Sequence, residues 1–94
     1  MNIGMRRLYE DNDFVCYEFK TEVDVGELAA TKWEMKYGYC RFSKKTEKFE
    51  LDTNKSDPYF LAKNNREAMR VYAKLIQIKR SNQIFPDITG IATG

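Results

Sequence analysis

Histidine is missing from this chain of 94 residues, and only two cysteines are present. Histidine is the commonest general base near neutral pH and the usual partner of serine and cysteine nucleophiles. Two cysteines without histidine cannot fill a tetrahedral zinc site, and no glycine-rich loop has the spacing that binds phosphate. We therefore expect a non-catalytic protein with no metal site and no cofactor.

Long apolar stretches are also missing. No window approaches the ~18 apolar residues of a membrane helix, and the first residues lack the apolar segment of a signal peptide. These absences predict a cytoplasmic protein that does not bind membranes. A length of 94 residues, with 43% hydrophobic and 32% charged side chains, is typical of one folded domain, here residues 1–94.

The sequence does contain two runs in which apolar and charged side chains alternate. They cover residues 14–23 and 31–42 and have the two-residue period of half-buried strands. If partner residue numbers sum to 54, Glu18 faces Lys36, and every charged pair between the strands is complementary. This register predicts a core face with Val15, Tyr17, Phe19 and Thr21 opposite Tyr39, Tyr37, Met35 and Trp33.

Shorter elements extend this hairpin. Residues 5–9 and 48–52 predict a first and a fourth strand. Asn64 and Glu67 have the spacing of a capping box at the start of a long amphipathic helix, and residues 83–94 form an apolar tail. The sequence predicts an α+β fold: a four-stranded antiparallel β-meander, one main C-terminal α-helix packed on one face, and an extended C-terminal tail.

The predicted register brings an apolar patch to the face of the sheet opposite the helix. The patch consists of Phe14, Cys16, Cys40 and Phe42. Its cysteines would be diagonal neighbours with roughly 7–8 Å between Cα atoms, too far apart for an unstrained disulfide. Contiguous exposed apolar patches mark contact sites, so we expect a protein interface here, in a homodimer. The alternative is that the tail or the first strand covers the patch.

The helix offers a second surface. Arg66, Arg70 and Lys74 recur every four residues, a spacing that would align cations toward the phosphates of a single-stranded nucleic acid. Such a row is also an ordinary solvated helix face. The sequence thus predicts a small self-associating protein-interaction module, with single-stranded nucleic-acid binding as the alternative function.

Overall fold

The computed structural model describes residues 2–26 and 30–92. In chain order the elements are β1 (Asn2–Glu10), β2 (Phe14–Asp24), β3 (Trp33–Ser43), β4 (Phe49–Leu51), a 3₁₀ turn (Pro58–Leu61), α1 (Arg66–Arg80) and β5 (Ile88–Ala92). The strands form one antiparallel sheet in the order β4-β3-β2-β1-β5. The predicted α+β fold is confirmed, with the difference that the tail supplies a fifth strand beside β1. Residues 93 and 94 of that tail lie outside the described residues.

The register between β2 and β3 differs from the predicted one. Glu18 lies opposite Tyr39 and Lys20 opposite Tyr37, so partner numbers sum to 57 instead of 54. Because the two sums differ by an odd number, β3 turns its other face to the core. The predicted side of β2 is buried, but three predicted core residues of β3 are exposed. They are Trp33, Met35 and Tyr37.

Core packing explains this register. Gly38 lies opposite Phe19, and the Phe19 ring fills the space of the missing side chain, since a Cβ on Gly38 would lie 2.3 Å from it. Further along the same face, Phe42 lies opposite Phe49 of β4. The predicted register would instead bury large side chains against large ones. Its charge pairs cannot compensate, because an exposed ion pair contributes only ~0.2–1 kcal/mol.

The 3₁₀ turn and α1 form the second layer, on the inner face of the sheet. Val71 and Leu75 of α1 are completely buried in the core. Phe60 of the 3₁₀ turn packs edge-on against Phe19, with 4.9 Å between ring centroids. The amphipathic helix therefore covers the face that carries the odd-numbered residues of β2.

The start of α1 lies one residue later than predicted. Asn65 is the N-cap, and its side-chain oxygen accepts a hydrogen bond from the Ala68 N–H at 2.9 Å. Asn64 has a φ of 59°, in the left-handed region, which does not suit an N-cap. Glu67 accepts a hydrogen bond from the Tyr59 hydroxyl at 3.0 Å, so the capping box predicted at Asn64 and Glu67 is wrong.

The tail is fixed to the edge of its own sheet. The Tyr17 hydroxyl donates to the Pro86 carbonyl at 2.5 Å, and the Arg7 guanidinium donates to the Phe85 carbonyl at 2.8 Å. Arg7 also forms an ion pair with Asp87. Neither the described part of the tail nor β1, which is itself a strand of the sheet, covers the face of the sheet away from α1, which was the alternative considered from the sequence.

Candidate interaction surface

The face of the sheet away from α1 has no covering layer among the described residues; we call it the outer face. Three large side chains project from it along β3: Trp33, Met35 and Tyr37 are 56%, 41% and 42% exposed. As alternate residues of one strand, they are spaced by about 6.6–6.8 Å. We call these three residues the β3 ridge.

Tyr39 continues the ridge but is tied to β2. Its hydroxyl donates to the Glu18 carboxylate at 2.9 Å, and Arg6 of β1 donates to the same carboxylate at 3.4 Å. The hydrogen bond to the carboxylate raises the pKa of Tyr39. Desolvation acts to raise the pKa of Glu18, but the hydrogen bonds from Tyr39 and Arg6 outweigh it and the pKa is lowered. These bonds hold a polar strip across the middle of the outer face.

The outer face is low at Gly4 of β1 and Gly90 of β5, although Ile88 on the same side is 77% exposed. Gly4 and Gly90 are cross-strand partners and lie in line with Lys20 and Tyr37, so side-chain size falls from Tyr37 to nothing across the sheet. Depressions of about 530 and 170 Å³ both have Gly4 and Lys20 in their walls. We call the low region from Gly4 to Gly90 the glycine trough. The outer face thus has a ridge on β3 and a low region at Gly4 and Gly90.

Charged side chains of both signs accompany these apolar groups. Arg41 pairs with Glu50 at 3.2 Å, and its guanidinium lies 4.5 Å from the centre of the Phe14 ring, a favourable cation–π contact. Arg6 and Glu18 form the second pair, at 3.4 Å. The outer face therefore combines aromatic side chains with balanced charge.

The predicted interface patch does not exist as a surface. Phe14 and Cys16 lie on the outer face and are half-buried, whereas Cys40 and Phe42 are in the core, with Phe42 completely buried. The prediction that these four residues share one exposed face is wrong, because the observed register reverses β3 while leaving β2 unchanged.

The two cysteines consequently lie on opposite sides of the sheet. Cys16 is the cross-strand partner of Arg41, and Cys40 is the partner of Tyr17. Both are free thiols. Desolvation raises the pKa of Cys40 to about 12 and also raises that of the half-buried Cys16. The Cys40 thiol is thus chemically inert in the folded protein, while Cys16 is a partly accessible thiol on the outer face.

The β3 ridge was missed, although the sequence carries a signal for it. The short turn after β3 pairs Ser43 with Lys48 through a hydrogen bond of 2.9 Å, and this pairing places Phe42 opposite Phe49. Phe49 and Leu51 are the alternate apolar residues of the predicted fourth strand, which assigns them to the core, so a tight turn at residues 44–47 requires Phe42 there too. Alternation then assigns the odd-numbered residues of β3, including Trp33, to the outer face.

The predicted nucleic-acid-binding residues lie on the other layer. Arg66 is exposed, and Arg70 and Lys74 are half-buried, all on α1. None of the three forms an ion pair with another described residue. The helix therefore brings these cations together, but the sheet separates them from the aromatic side chains of the outer face.

Two further observations limit the chemistry of the described chain. In residues 2–26 and 30–92, no three Cys, Asp or Glu side chains are grouped as metal ligands require. Neither helix in these ranges has the length and apolar character needed to cross a bilayer.

Comparison with known proteins gives no match: no family model, characterised protein or solved structure is significantly similar to this chain.

Proposed function

We propose that the protein is a non-catalytic interaction domain that binds a second copy of itself through the outer face. The observation that supports this most directly is the β3 ridge, three large apolar side chains 41–56% exposed on one strand. Contiguous apolar surface on a folded domain marks a contact site. Trp, Tyr, Met and Arg, which dominate the β3 side of this face, are enriched in protein interfaces.

The shape of the outer face favours a second copy as the partner. Rotation by a half-turn about an axis along β2, parallel to the sheet, places the β3 ridge of each copy over the glycine trough of the other. In this arrangement Tyr37 lies over Gly4 and Gly90, which are in line with it on the sheet. Such an isologous contact closes on itself, as in most homodimers.

The charge of the outer face favours a protein over a polyanion. Arg6 and Arg41 are matched by Glu18 and Glu50 in ion pairs of 3.4 and 3.2 Å. A polyanion would meet carboxylates as often as cations. A second copy presents both signs, and ion pairs of this kind help to fix the register of an interface.

The available area sets the expected affinity. The five strands contain 39 residues together, each covering ~3.3 × 4.8 Å of the sheet, or about 600 Å² per copy. Stable complexes bury ~800 Å² per partner, and specific interfaces begin near 1,200 Å² in total, roughly what two such faces provide. We therefore expect a reversible dimer with a dissociation constant in the micromolar range.

The cysteines support a cytoplasmic location, which we include in the proposal. The Cys16 and Cys40 side chains point to opposite sides of the sheet, so they cannot form a disulfide within one chain. Oxidising compartments favour disulfide-bonded small domains, and free thiols are typical of reducing ones.

The experiment is sedimentation velocity over a concentration series, with two matched variants. Met35→Glu places a charge on the β3 ridge, whereas Met69→Glu makes the same change on α1, where Met69 is 55% exposed. We expect Met35→Glu to weaken self-association at least about tenfold, because each interface would bury two uncompensated carboxylates. Met69→Glu should leave it unchanged. The emission of Trp33, the only tryptophan, should shift to shorter wavelength as wild-type dimers form.

Two results of this experiment would overturn the proposal. A wild-type chain that stays monomeric at high micromolar concentration, with Trp33 emission independent of concentration, overturns the proposal. Equal weakening by Met35→Glu and Met69→Glu does so as well, because the interface would then not be the outer face. Circular dichroism of both variants confirms that the comparison is made between folded proteins.

A second candidate function is binding of single-stranded nucleic acid along α1. It is favoured by Arg66, Arg70 and Lys74, which have no ion-pair partner among the described residues and follow each other by about 6 Å along the helix axis. The expected result is oligonucleotide binding that weakens steeply with salt.

The double variant Arg70→Glu, Lys74→Glu tests this candidate. It should abolish binding at moderate salt, while Lys45→Glu, Lys48→Glu, an equal charge change in the turn before β4, should reduce affinity less. Absence of oligonucleotide binding by the wild-type chain at low salt eliminates this function, and equal loss in both double variants assigns the binding to net charge alone.

A further inference from the structure

The two edges of the sheet differ in whether further chain forms hydrogen bonds to the backbone there. On the β4 side, the chain after Leu51 runs on along β3 and satisfies its backbone: the Asp57 N–H donates to the Tyr37 carbonyl at 2.9 Å. The Ser56 hydroxyl both accepts from the Tyr39 N–H at 2.9 Å and donates to the Tyr39 carbonyl at 3.2 Å. At the opposite edge, no described residue lies beyond β5.

The hydrogen-bonding pattern shows which groups of β5 point outward. The Arg7 N–H donates to the Asp87 carbonyl at 2.8 Å, in the same register as the β1–β5 ladder. Hydrogen-bonded and non-hydrogen-bonded residue pairs alternate between antiparallel strands. The backbone groups of Thr89 and Ile91 therefore also form hydrogen bonds with β1. The backbone N–H and C=O groups of Ile88, Gly90 and Ala92 therefore point away from the sheet.

This edge also lacks the usual protection. Sheet edges are normally guarded by Lys, Pro, a bulge or an inward-pointing charge. The strand Ile88–Ala92 has none of these residues, reading ITGIA, and Ile88 is 77% exposed. A strand with free backbone groups and no charge is a template for another strand.

We propose that β5 pairs antiparallel with β5 of a second copy, about a two-fold axis at Gly90. Gly90 then faces Gly90 of the second copy, and Ile88 faces its Ala92. In this register, each of the three residues whose backbone groups point outward lies in a hydrogen-bonded pair with a residue of the second copy. The contact therefore has about six hydrogen bonds. The strand is self-complementary because its free groups are placed symmetrically about Gly90. A foreign peptide would not need that symmetry.

The edge contact is independent of the face contact proposed above and compatible with it. The two-fold axis at Gly90 is perpendicular to the sheet, so both copies keep α1 on the same side and their outer faces join into one larger surface. The axis of the face contact lies parallel to the sheet. Because that axis runs along β2 and the edge axis lies beyond β5, the two axes do not intersect, and together the two contacts add copies in an open row instead of a closed ring. Wild-type protein with both contacts should therefore grow beyond a dimer as its concentration rises.

The first test removes one outward N–H. Gly90→Pro lacks the central donor of the edge contact but keeps the β1 ladder, to which Gly90 does not donate. Gly90→Ala is its matched control: both variants add a Cβ 3.1 Å from the Ile3 carbonyl oxygen, but Ala retains the N–H. Both are made in the Met35→Glu background, which removes the face contact, and their mass is measured by light scattering.

We expect Met35→Glu and Met35→Glu, Gly90→Ala to dimerise at high concentration and Met35→Glu, Gly90→Pro to stay monomeric. Dimers that persist with Gly90→Pro overturn the edge proposal, as does a folded Met35→Glu chain that is monomeric throughout. In the latter case a wild-type dimer still supports the face contact. Wild-type dimers that respond to Gly90→Pro but not to Met35→Glu overturn the face contact instead and support the edge.

The second test fixes the register by crosslinking. In a Cys16→Ser background, Gly90→Cys places two thiols across the axis with Cα atoms about 5.5 Å apart, a distance suited to a disulfide. Ile88→Cys is the control, because its own symmetry mate lies about 13 Å away along the strand. Mild oxidation should crosslink the Gly90→Cys chain at least tenfold faster than the Ile88→Cys chain. Equal rates, or no crosslinking of Gly90→Cys, contradict the proposed register.

Discussion

The two faces of the sheet both place a large side chain in line with a glycine, but they differ in what lies above that glycine. On the inner face, the Phe19 ring fills the space above Gly38, so a large side chain on β2 meets an empty position on β3. On the outer face, Tyr37 on β3 stands in line with Gly4 and Gly90, but only the flexible, exposed Lys20 side chain lies over Gly4, and no described side chain lies over Gly90. Each face places a large side chain in line with a glycine. Only on the inner face does a buried side chain of the same chain fill the space above the glycine.

The largest expected effect comes from filling the inner position. Gly38→Ala puts a Cβ 2.3 Å from the completely buried Phe19 ring, and this overpacking should lower the free energy of unfolding by about 1–3 kcal/mol. Urea unfolding, followed by circular dichroism at a concentration below the dimer range, measures the change.

Gly4→Ala is the matched control for the outer face. Its Cβ would make only ordinary contacts, the nearest being the Lys20 side chain at 3.4 Å, so the free energy of unfolding should change by less than about 0.5 kcal/mol. A Gly38→Ala chain as stable as the Gly4→Ala chain would show that Phe19 does not occupy the space above Gly38, and the contrast between the faces would be lost.

The same contrast marks the limit of sequence-based prediction here. Strands, helix and fold class follow from periodicity, which depends on each segment alone. The register depends on how Phe19 fits over Gly38 and Phe42 beside Phe49, and periodicity contains no such information. The complementary charge pairs, such as Glu18 with Lys36, suggested another register, but exposed ion pairs contribute too little to oppose core packing.

The error in register also inverted the candidate site. The prediction of an apolar surface on the uncovered face was reasonable, yet it selected the even-numbered residues of β3, including Cys40 and Phe42, which are buried. The exposed residues are their odd-numbered neighbours. Only the turn before β4, which places Phe42 opposite Phe49, contained the information needed to choose correctly.

The cysteines allow a direct comparison of the two faces. A maleimide should modify Cys16, on the outer face, at least about 100-fold faster than Cys40, because burial raises the pKa of Cys40 to about 12 and blocks access to its sulfur. Desolvation also raises the pKa of Cys16, so its modification should accelerate as the pH becomes more alkaline. Mass spectrometry of peptides identifies the modified residue.

Denaturant provides the control for this labelling, since both thiols should then react at similar rates. Comparable rates in the native protein would mean that the cysteines share one face, as the predicted register requires. If the outer face is the dimer interface, Cys16 should also become slower to react as the protein concentration rises, and Met35→Glu should remove that dependence.

The smallest expected effect concerns the attachment of α1 over the inner face. Glu47, in the turn before β4, accepts hydrogen bonds from Arg80 at 2.7 Å and from Lys79 at 3.3 Å, at the C-terminal end of the helix. The hydrogen bond from Arg80 is the main cause that lowers the pKa of Glu47 from 4.5 to about 2. A depressed carboxylate pKa stabilises the folded state above the unfolded value, and this contribution is lost as the pH falls through the folded value.

Glu47→Gln should therefore lower the melting temperature slightly at neutral pH, and the difference from wild type should shrink between pH 4.5 and about 2. Differential scanning calorimetry across this range measures both curves. Parallel curves would show that the carboxylate does not hold the end of α1. The hydrogen bond from the Tyr72 hydroxyl to the Glu47 carbonyl, at 2.8 Å, would then join the turn to the helix, and the substitution leaves this bond in place.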